Sequence, residues 1–187
     1  MTHGASGIVR LALTSPRLVL LDEFVDAQEP EQLIAWATPQ LAPTAHLALD
    51  GSGAVTSARR TSEGTRATRR GETACAERID RRIEALTGIP ASHGEPLQVL
   101  RYVEGAEYEP HHDFFSEAEL ALDARFAEGG QRIATLLLYL NDGFSGGETS
   151  FPELQLDVHP RRGAARGRAG STRGCRPRRP CRHKHHA

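Results

Sequence analysis

Lysine is almost absent from this chain: Lys184 is the only one among 187 residues. The body therefore has no lysine to grip phosphates in a P-loop or to form a Schiff base, which excludes nucleoside-triphosphate and pyridoxal chemistry there. Cysteine is scarce as well. Cys175 and Cys181 fall near the end of the sequence and Cys75 stands alone, so no disulfide framework is implied. Long hydrophobic runs are missing too: the longest uncharged stretch, Leu33 to Leu49, contains Pro39, Gln40, Pro43 and His46, which are costly in lipid. Near the start, Arg10, Arg17 and the Ser15-Pro16 pair interrupt the apolar residues that would make the core of a secretory leader. These absences predict a cytoplasmic protein with no membrane partner.

Acid and base are unevenly shared. Residues 161 to 187 hold ten of the 23 basic residues and no acid, leaving 13 basic against 24 acidic residues in 1 to 160, a balance of −11. From Ala164 to Ala187 there is also no Val, Ile, Leu, Met, Phe, Tyr or Trp. The expectation is a basic, disordered tail in which no buried strand can be built.

The body reads as helices first and strands afterward. Arg17 to Phe24 is an apolar run of strand length. Asp26 is placed to cap a helix through Leu33, Ile34 and Ala37 that ends near Pro39. Gly51 and Gly53 mark a turn. A second helix is predicted from about Thr73 to Leu86, with Cys75, Ile79, Ile83 and Leu86 on its buried stripe and Gly88-Ile89-Pro90 as its stop. Cys75 on that stripe reads as a core residue, since nothing nearby would lower the pKa of its thiol. Leu97 to Val103 alternates as a strand, and Ser116 with Glu119 forms a capping box for a short helix through Leu120 and Phe126. Gln131 to Leu140 gives the strongest strand signal: Ile133, Thr135, Leu137 and Tyr139 share one face, and Ala134, Leu136, Leu138 and Leu140 the other. Both faces are largely apolar, as in a strand buried between layers. Asn141-Asp142-Gly143 turns the chain, and Leu156 to His159 begins another strand. Together these elements predict an α+β chain whose β part is a sandwich or barrel.

The chemistry sits at His111 and Asp113. On an extended chain two residues advance about 6.6 Å and return to the same face, so an imidazole nitrogen and a carboxylate oxygen can converge on one ion. One nitrogen and one oxygen donor suit a borderline first-row metal, and two His with one carboxylate is the ligand set of non-haem Fe(II) oxygenases. His112, between them, faces away.

Further blocks give His-x-Asp its context. Upstream is R-Y-x-x-G-x-x-Y-x-P-H-x-D, beginning at Arg101. Downstream come G-G-Q-R-I-A-T-L-L-L-Y-L-N, Gly129 to Asn141, and G-G-E-T-S-F-P, Gly146 to Pro152. In order and spacing these blocks resemble the prolyl 4-hydroxylase family of Fe(II)- and 2-oxoglutarate-dependent dioxygenases, from about Arg60 to Gly163. The resemblance implies a double-stranded β-helix, or jelly roll, with supporting N-terminal helices and an incomplete C-terminus. Residues 1–95 would form the support region, 96–163 the first part of the core with the iron site, and 164–187 the tail. It further implies His111 and Asp113 as iron ligands, and Tyr102, Thr135 and Tyr139 as inward-facing contacts to 2-oxoglutarate. The two tyrosines are equally readable as core aromatics. Fe(II), 2-oxoglutarate, O2 and ascorbate are the implied cofactors and cosubstrates. A peptidyl prolyl or similar group on a peptide or protein would be hydroxylated, with release of succinate and CO2.

Gly146-Gly147-Glu148-Thr149 resembles the family's turn into the next strand, and is readable as a plain hairpin loop. Arg60 to Thr65 resembles a segment near the substrate groove, although Arg66, Ala67 and Thr68 replace the aromatic residues expected after it. The family's second histidine ligand and its later Lys or Arg, partner of the far carboxylate of 2-oxoglutarate, are not recognisable after Gly163. His183, His185 and His186 stand at a suitable chain distance without an apolar strand to hold them. The abrupt change of composition suggests a frame-altered, impaired member of the family. The alternative is a non-catalytic binding protein whose tail, with Cys175, Cys181, His183, His185 and ten basic residues, takes zinc or nucleic acid.

Overall fold

A computed structural model describes residues 7–47, 54–56, 61–65, 72–115, 130–169 and 181–184. The chain opens with a hairpin of β1 (Ile8–Thr14) and β2 (Arg17–Asp22), followed by helix α1 (Glu29–Ala37). Four short strands come next: β3 (Ala42–Pro43), β4 (Ala45–Leu47), β5 (Ala54–Thr56) and β6 (Glu63–Gly64). Helix α2 (Ala74–Thr87) precedes β7 (Leu100–Arg101) and β8 (Glu107–His111). The remaining strands are β9 (Ala134–Leu138), β10 (Thr149–Phe151), β11 (Leu156–Val158), β12 (Ala165–Ala169) and β13 (Cys181–Lys184).

Two four-stranded sheets dominate, in the orders β1-β2-β12-β9 and β11-β10-β13-β8. Their shared core contains Leu18 and Leu20 of β2, Tyr139, Phe151 of β10 and Val158 of β11. The opposite face of the first sheet is covered by the helices, where Leu33, Ala37, Cys75 and Ile79 pack with Leu21, Phe24 and Ala165. The predicted faces of the Gln131–Leu140 segment separate accordingly: Leu136, Leu138 and Leu140 border the helical cluster, while Leu137 and Tyr139 enter the core between the sheets. Helices and sheets are thus mixed as expected.

Both helices carry local start signals. Asp26 Oδ1 accepts from the backbone N–H of Gln28 and Glu29, each at 2.8 Å, and Glu29 Oε2 accepts in return from the N–H of Asp26 at 3.1 Å. That reciprocal pair is a capping box built on aspartate. On α2, Thr73 Oγ1 accepts from Ala76 N at 2.9 Å, and Gly88 closes the helix at φ 70°, a left-handed position that glycine takes without steric cost.

Several expectations need correction. The Leu97–Val103 strand is shorter than predicted: only Leu100 and Arg101 pair as a strand, because Thr65 competes for the chain before them. Its Oγ1 accepts from Val99 N at 3.1 Å, its N–H donates to Val99 O at 2.9 Å, and its carbonyl takes Gln98 Nε2. Leu86, assigned to the buried stripe of α2, is 42% exposed, since the last turn of the helix runs past the apolar cluster. The N-terminal strand β1 was not foreseen, and its Ile8 and Val9 remain exposed.

The main correction concerns the chain after Ala164. Residues 165–169 form β12, which pairs antiparallel with β2 on one side and β9 on the other. A strand of Ala, Arg and Gly holds this central place because its neighbours supply the bulk. Ala165 is 2% exposed in the helical cluster, and a Cβ on Gly167 would lie 3.5 Å from Leu136 Cδ1. Farther on, β13 inserts between β8 and β10, with Cys181 opposite His111 and His183 opposite Tyr108 and Thr149. The predicted Gly51–Gly53 turn, the helix through Leu120 and Phe126, and Cys175, His185 and His186 lie outside the described residues.

Candidate active site

His111 ends β8 and Asp113 follows it in the next loop. Their side chains converge, with His111 Nε2 3.4 Å from Asp113 Oδ1. The other ring nitrogen, Nδ1, is 2.8 Å from the carbonyl of Glu109, which can only accept. Nδ1 therefore donates to that carbonyl, which leaves Nε2 as the ring nitrogen that faces Asp113. The ring is held flat by Tyr108, stacked at 3.7 Å between centroids.

Burial works to raise the pKa of Asp113. Hydrogen bonds from His111 and Thr135, together with the charges of His111 and Arg166, outweigh it and hold the carboxyl well below the usual carboxylate range. The pair thus sets an imidazole nitrogen beside an ionised carboxylate, a nitrogen and oxygen donor set suited to Fe(II). Among the described residues no group of three His, Cys, Asp or Glu gathers around an ion position.

The loop bearing Asp113 is stitched to the residues before β9. Gln131 spans Phe115 with both ends of its amide: Oε1 accepts from Phe115 N at 2.7 Å and Nε2 donates to Phe115 O at 2.8 Å. Arg132 Nη1 donates to Asp113 O at 3.3 Å, its guanidinium lies 4.2 Å over the Phe115 ring, and Nη2 donates to Glu95 Oε2 at 2.7 Å. This clamp was not legible in the sequence, because Glu95 lies far away along the chain.

The three residues assigned to the cosubstrate differ in their surroundings. Thr135 is among the groups that hold the pKa of Asp113 down. The Tyr139 hydroxyl is buried, shares a hydrogen bond with Thr149 Oγ1 at 2.9 Å and lies 3.5 Å from Val158 O. Burial pushes its pKa up, partly offset by Arg166 and Thr149. Tyr102 stands partly buried in the loop between β7 and β8. Arg166 itself was missed. The alternating pattern Ala-Arg-Gly-Arg-Ala was the available signal.

The blocks flanking the site fall where their spacing requires. Thr149, opening β10, is fully buried, and Gly147, two residues before it, has φ 73°; a Cβ there would lie 2.6 Å from Phe144 Cε2. Thr61, at the start of the described part of the Arg60–Thr65 segment, pairs with Glu107 of β8, its N–H donating to Glu107 O at 3.0 Å and its Oγ1 accepting from Glu107 N at 2.9 Å. Arg60 and Arg66 to Thr68 lie outside the described residues.

Residues 97–173 match the model of the 2OG-Fe(II) oxygenase superfamily. Prolyl 4-hydroxylase 5 of Arabidopsis thaliana is 42% identical over 143 residues, which span 76% of this chain and 47% of that protein. The chain belongs to the prolyl 4-hydroxylase family of 2OG-Fe(II) oxygenases. Prolyl 4-hydroxylase 1 of the same plant is 38% identical over 139 residues, 74% of this chain and 47% of the relative. Among solved structures, the 2OG complex of the viral collagen prolyl hydroxylase from Paramecium bursaria Chlorella virus-1 superposes with a TM-score of 0.60 at 25% identity, covering 81% of this chain and 77% of that one. The chain spans about half the length of the curated relatives it matches. The alternative of a zinc- or nucleic-acid-binding tail draws no support from these prolyl hydroxylases.

Proposed function

We propose that the chain is a 2-oxoglutarate-dependent dioxygenase of prolyl 4-hydroxylase type, acting on a prolyl or similar residue of a peptide. The observation that carries this reading is the convergence of His111 Nε2 and Asp113 Oδ1, 3.4 Å apart, inside the segment that matches the oxygenase superfamily. Bound at that pair, Fe(II) would couple decarboxylation of 2-oxoglutarate by O2, to succinate and CO2, to hydroxylation of the substrate, with ascorbate as reductant.

The protein's own residues have separable parts in this. His111, its Nδ1 held by the Glu109 carbonyl, offers Nε2, and Asp113 offers a carboxylate that stays ionised at neutral pH. Arg132 and Gln131 fix the loop that carries Asp113. The hydroxyls of Thr135, Tyr139 and Tyr102 are the donors we assign to the cosubstrate. The two facing sheets are read as a double-stranded β-helix, with the site at their mouth. Scarce cysteine suits a reducing compartment, and we read the protein as cytoplasmic.

With only His111 and Asp113 as ligands among the described residues, turnover is expected to be slow. The test is succinate formation from 2-oxoglutarate with Fe(II), ascorbate, O2 and a proline-rich peptide, in wild type and Asp113→Ala. Succinate formation that is lost in the variant supports the reading; equal rates in the two would refute it.

A further inference from the structure

Tyr108 and His111 stand three residues apart on β8, and on a regular strand that spacing would send their side chains to opposite faces. Their rings are nevertheless stacked, 3.7 Å between centroids and with 21° between their planes. The register of β8 against β13 gives the reason. Tyr108 lies opposite His183 and His111 opposite Cys181, so three steps along β8 run beside two along β13. One extra residue is therefore accommodated at Glu109-Pro110, the count of a β-bulge, and the extra step returns His111 to the face of Tyr108. Proline suits this place, because it has no N–H to give to a ladder. Within the same bulge the Glu109 carbonyl lies 2.8 Å from His111 Nδ1. The two contacts restrain different motions of one side chain. The terminal torsion of a histidine is broad when nothing holds it; the hydrogen bond fixes which edge of the imidazole faces Glu109, and the stack fixes the plane of the ring.

We propose that this bulge makes Tyr108 a positioning residue of the metal pair: its ring holds the His111 imidazole, before any ion arrives, in the orientation that turns Nε2 toward Asp113 Oδ1, 3.4 Å away. The proposal rests on the metal reading above and deepens it. Tyr108 contributes no donor atom to the ion. Its hydroxyl is not required for this part, since the contact is ring on ring. What it supplies is order: the imidazole is fixed when the chain folds, so the ion does not have to freeze a mobile side chain as it binds.

Calorimetric titration of the metal-free chain with Co(II), a stand-in that needs no reductant, tests this in wild type, Tyr108→Phe and Tyr108→Leu. Tyr108→Phe keeps the stacked ring and should bind Co(II) within about twofold of wild type, whereas Tyr108→Leu should bind it roughly tenfold more weakly at the same stoichiometry. Unchanged binding in Tyr108→Leu would overturn the proposal. So would a loss in Tyr108→Phe as large as that in Tyr108→Leu, because it would move the role from the ring to the hydroxyl. The ring-proton magnetic resonance signals of His111 in the metal-free wild type give a second measurement, independent of how any variant folds. Seated on the Tyr108 ring, they should lie upfield of those of the exposed His93; equal positions would mean that the stack does not hold in solution. His111→Ala should lose Co(II) binding. Retained binding there would sink the metal reading and the proposal with it, whereas the ranking of the Tyr108 variants bears on the stack alone.

Discussion

Glu29 of α1 and Arg82 of α2 lock the two helices together: Arg82 Nη1 lies 2.9 Å from Glu29 Oε2, and the glutamate side chain is 1% exposed. Arg78 Nε reaches Glu29 Oε1 at 3.1 Å. Replacing Glu29 with Ala leaves two guanidinium groups without their carboxylate and undoes the Asp26 capping box. A loss of roughly 3 to 5 kcal/mol is expected in urea unfolding, the range for breaking a buried pair from one side. Arg78→Ala, whose side chain is 39% exposed, should cost under about 1 kcal/mol.

The same carboxylate makes stability depend on pH. Burial works to raise the pKa of Glu29, but hydrogen bonds from Arg82, the Asp26 backbone and Arg78 outweigh it, and the value falls below the ordinary 4.5. Asp26 is likewise lowered from 3.8, chiefly by the backbone N–H of Glu29. On acidification the unfolded chain takes up these protons first. The stabilisation is therefore complete above the ordinary values and is lost as pH falls through the folded ones. Urea midpoints should decline below about pH 5, and Glu29→Gln should flatten that decline.

Arg132 acts on the metal pair only through the loop it holds. Arg132→Met should weaken Co(II) binding by roughly tenfold, as is usual when an outer support of a ligand is lost. Thermal stability should change little, because the residue is exposed. An affinity equal to wild type by calorimetry would mean that Gln131 alone fixes the loop.

Tyr139→Phe removes the hydroxyl that Thr149 shares at 2.9 Å, and Thr149 is fully buried. The threonine oxygen loses a partner in a place water does not reach, for an expected cost of about 1 to 3 kcal/mol. If Tyr139 also contacts 2-oxoglutarate, the KM for that cosubstrate rises in the variant. Thr149→Val measured alongside separates the two effects, since it loses the same hydrogen bond and keeps the phenol.

Local chemistry was readable without a fold. The capping groups of Asp26 and Thr73, the left-handed stop at Gly88, the two apolar faces from Ala134 to Leu138, and the His111–Asp113 pair all depend on residues a few positions apart, so spacing alone fixes them. β12 does not work that way. Ala165, Gly167 and Ala169 carry too little apolar surface to announce a strand, and they form one because Leu-rich β2 and β9 supply the ladder and the bulk on either side. With that strand came Arg166, whose burial over the Phe151 ring no window of sequence could show. The clamp of Glu95 on Arg132 belongs to the same class. Periodicity and capping are properties of neighbours along the chain, whereas burying a charge is settled by what the rest of the molecule places around it.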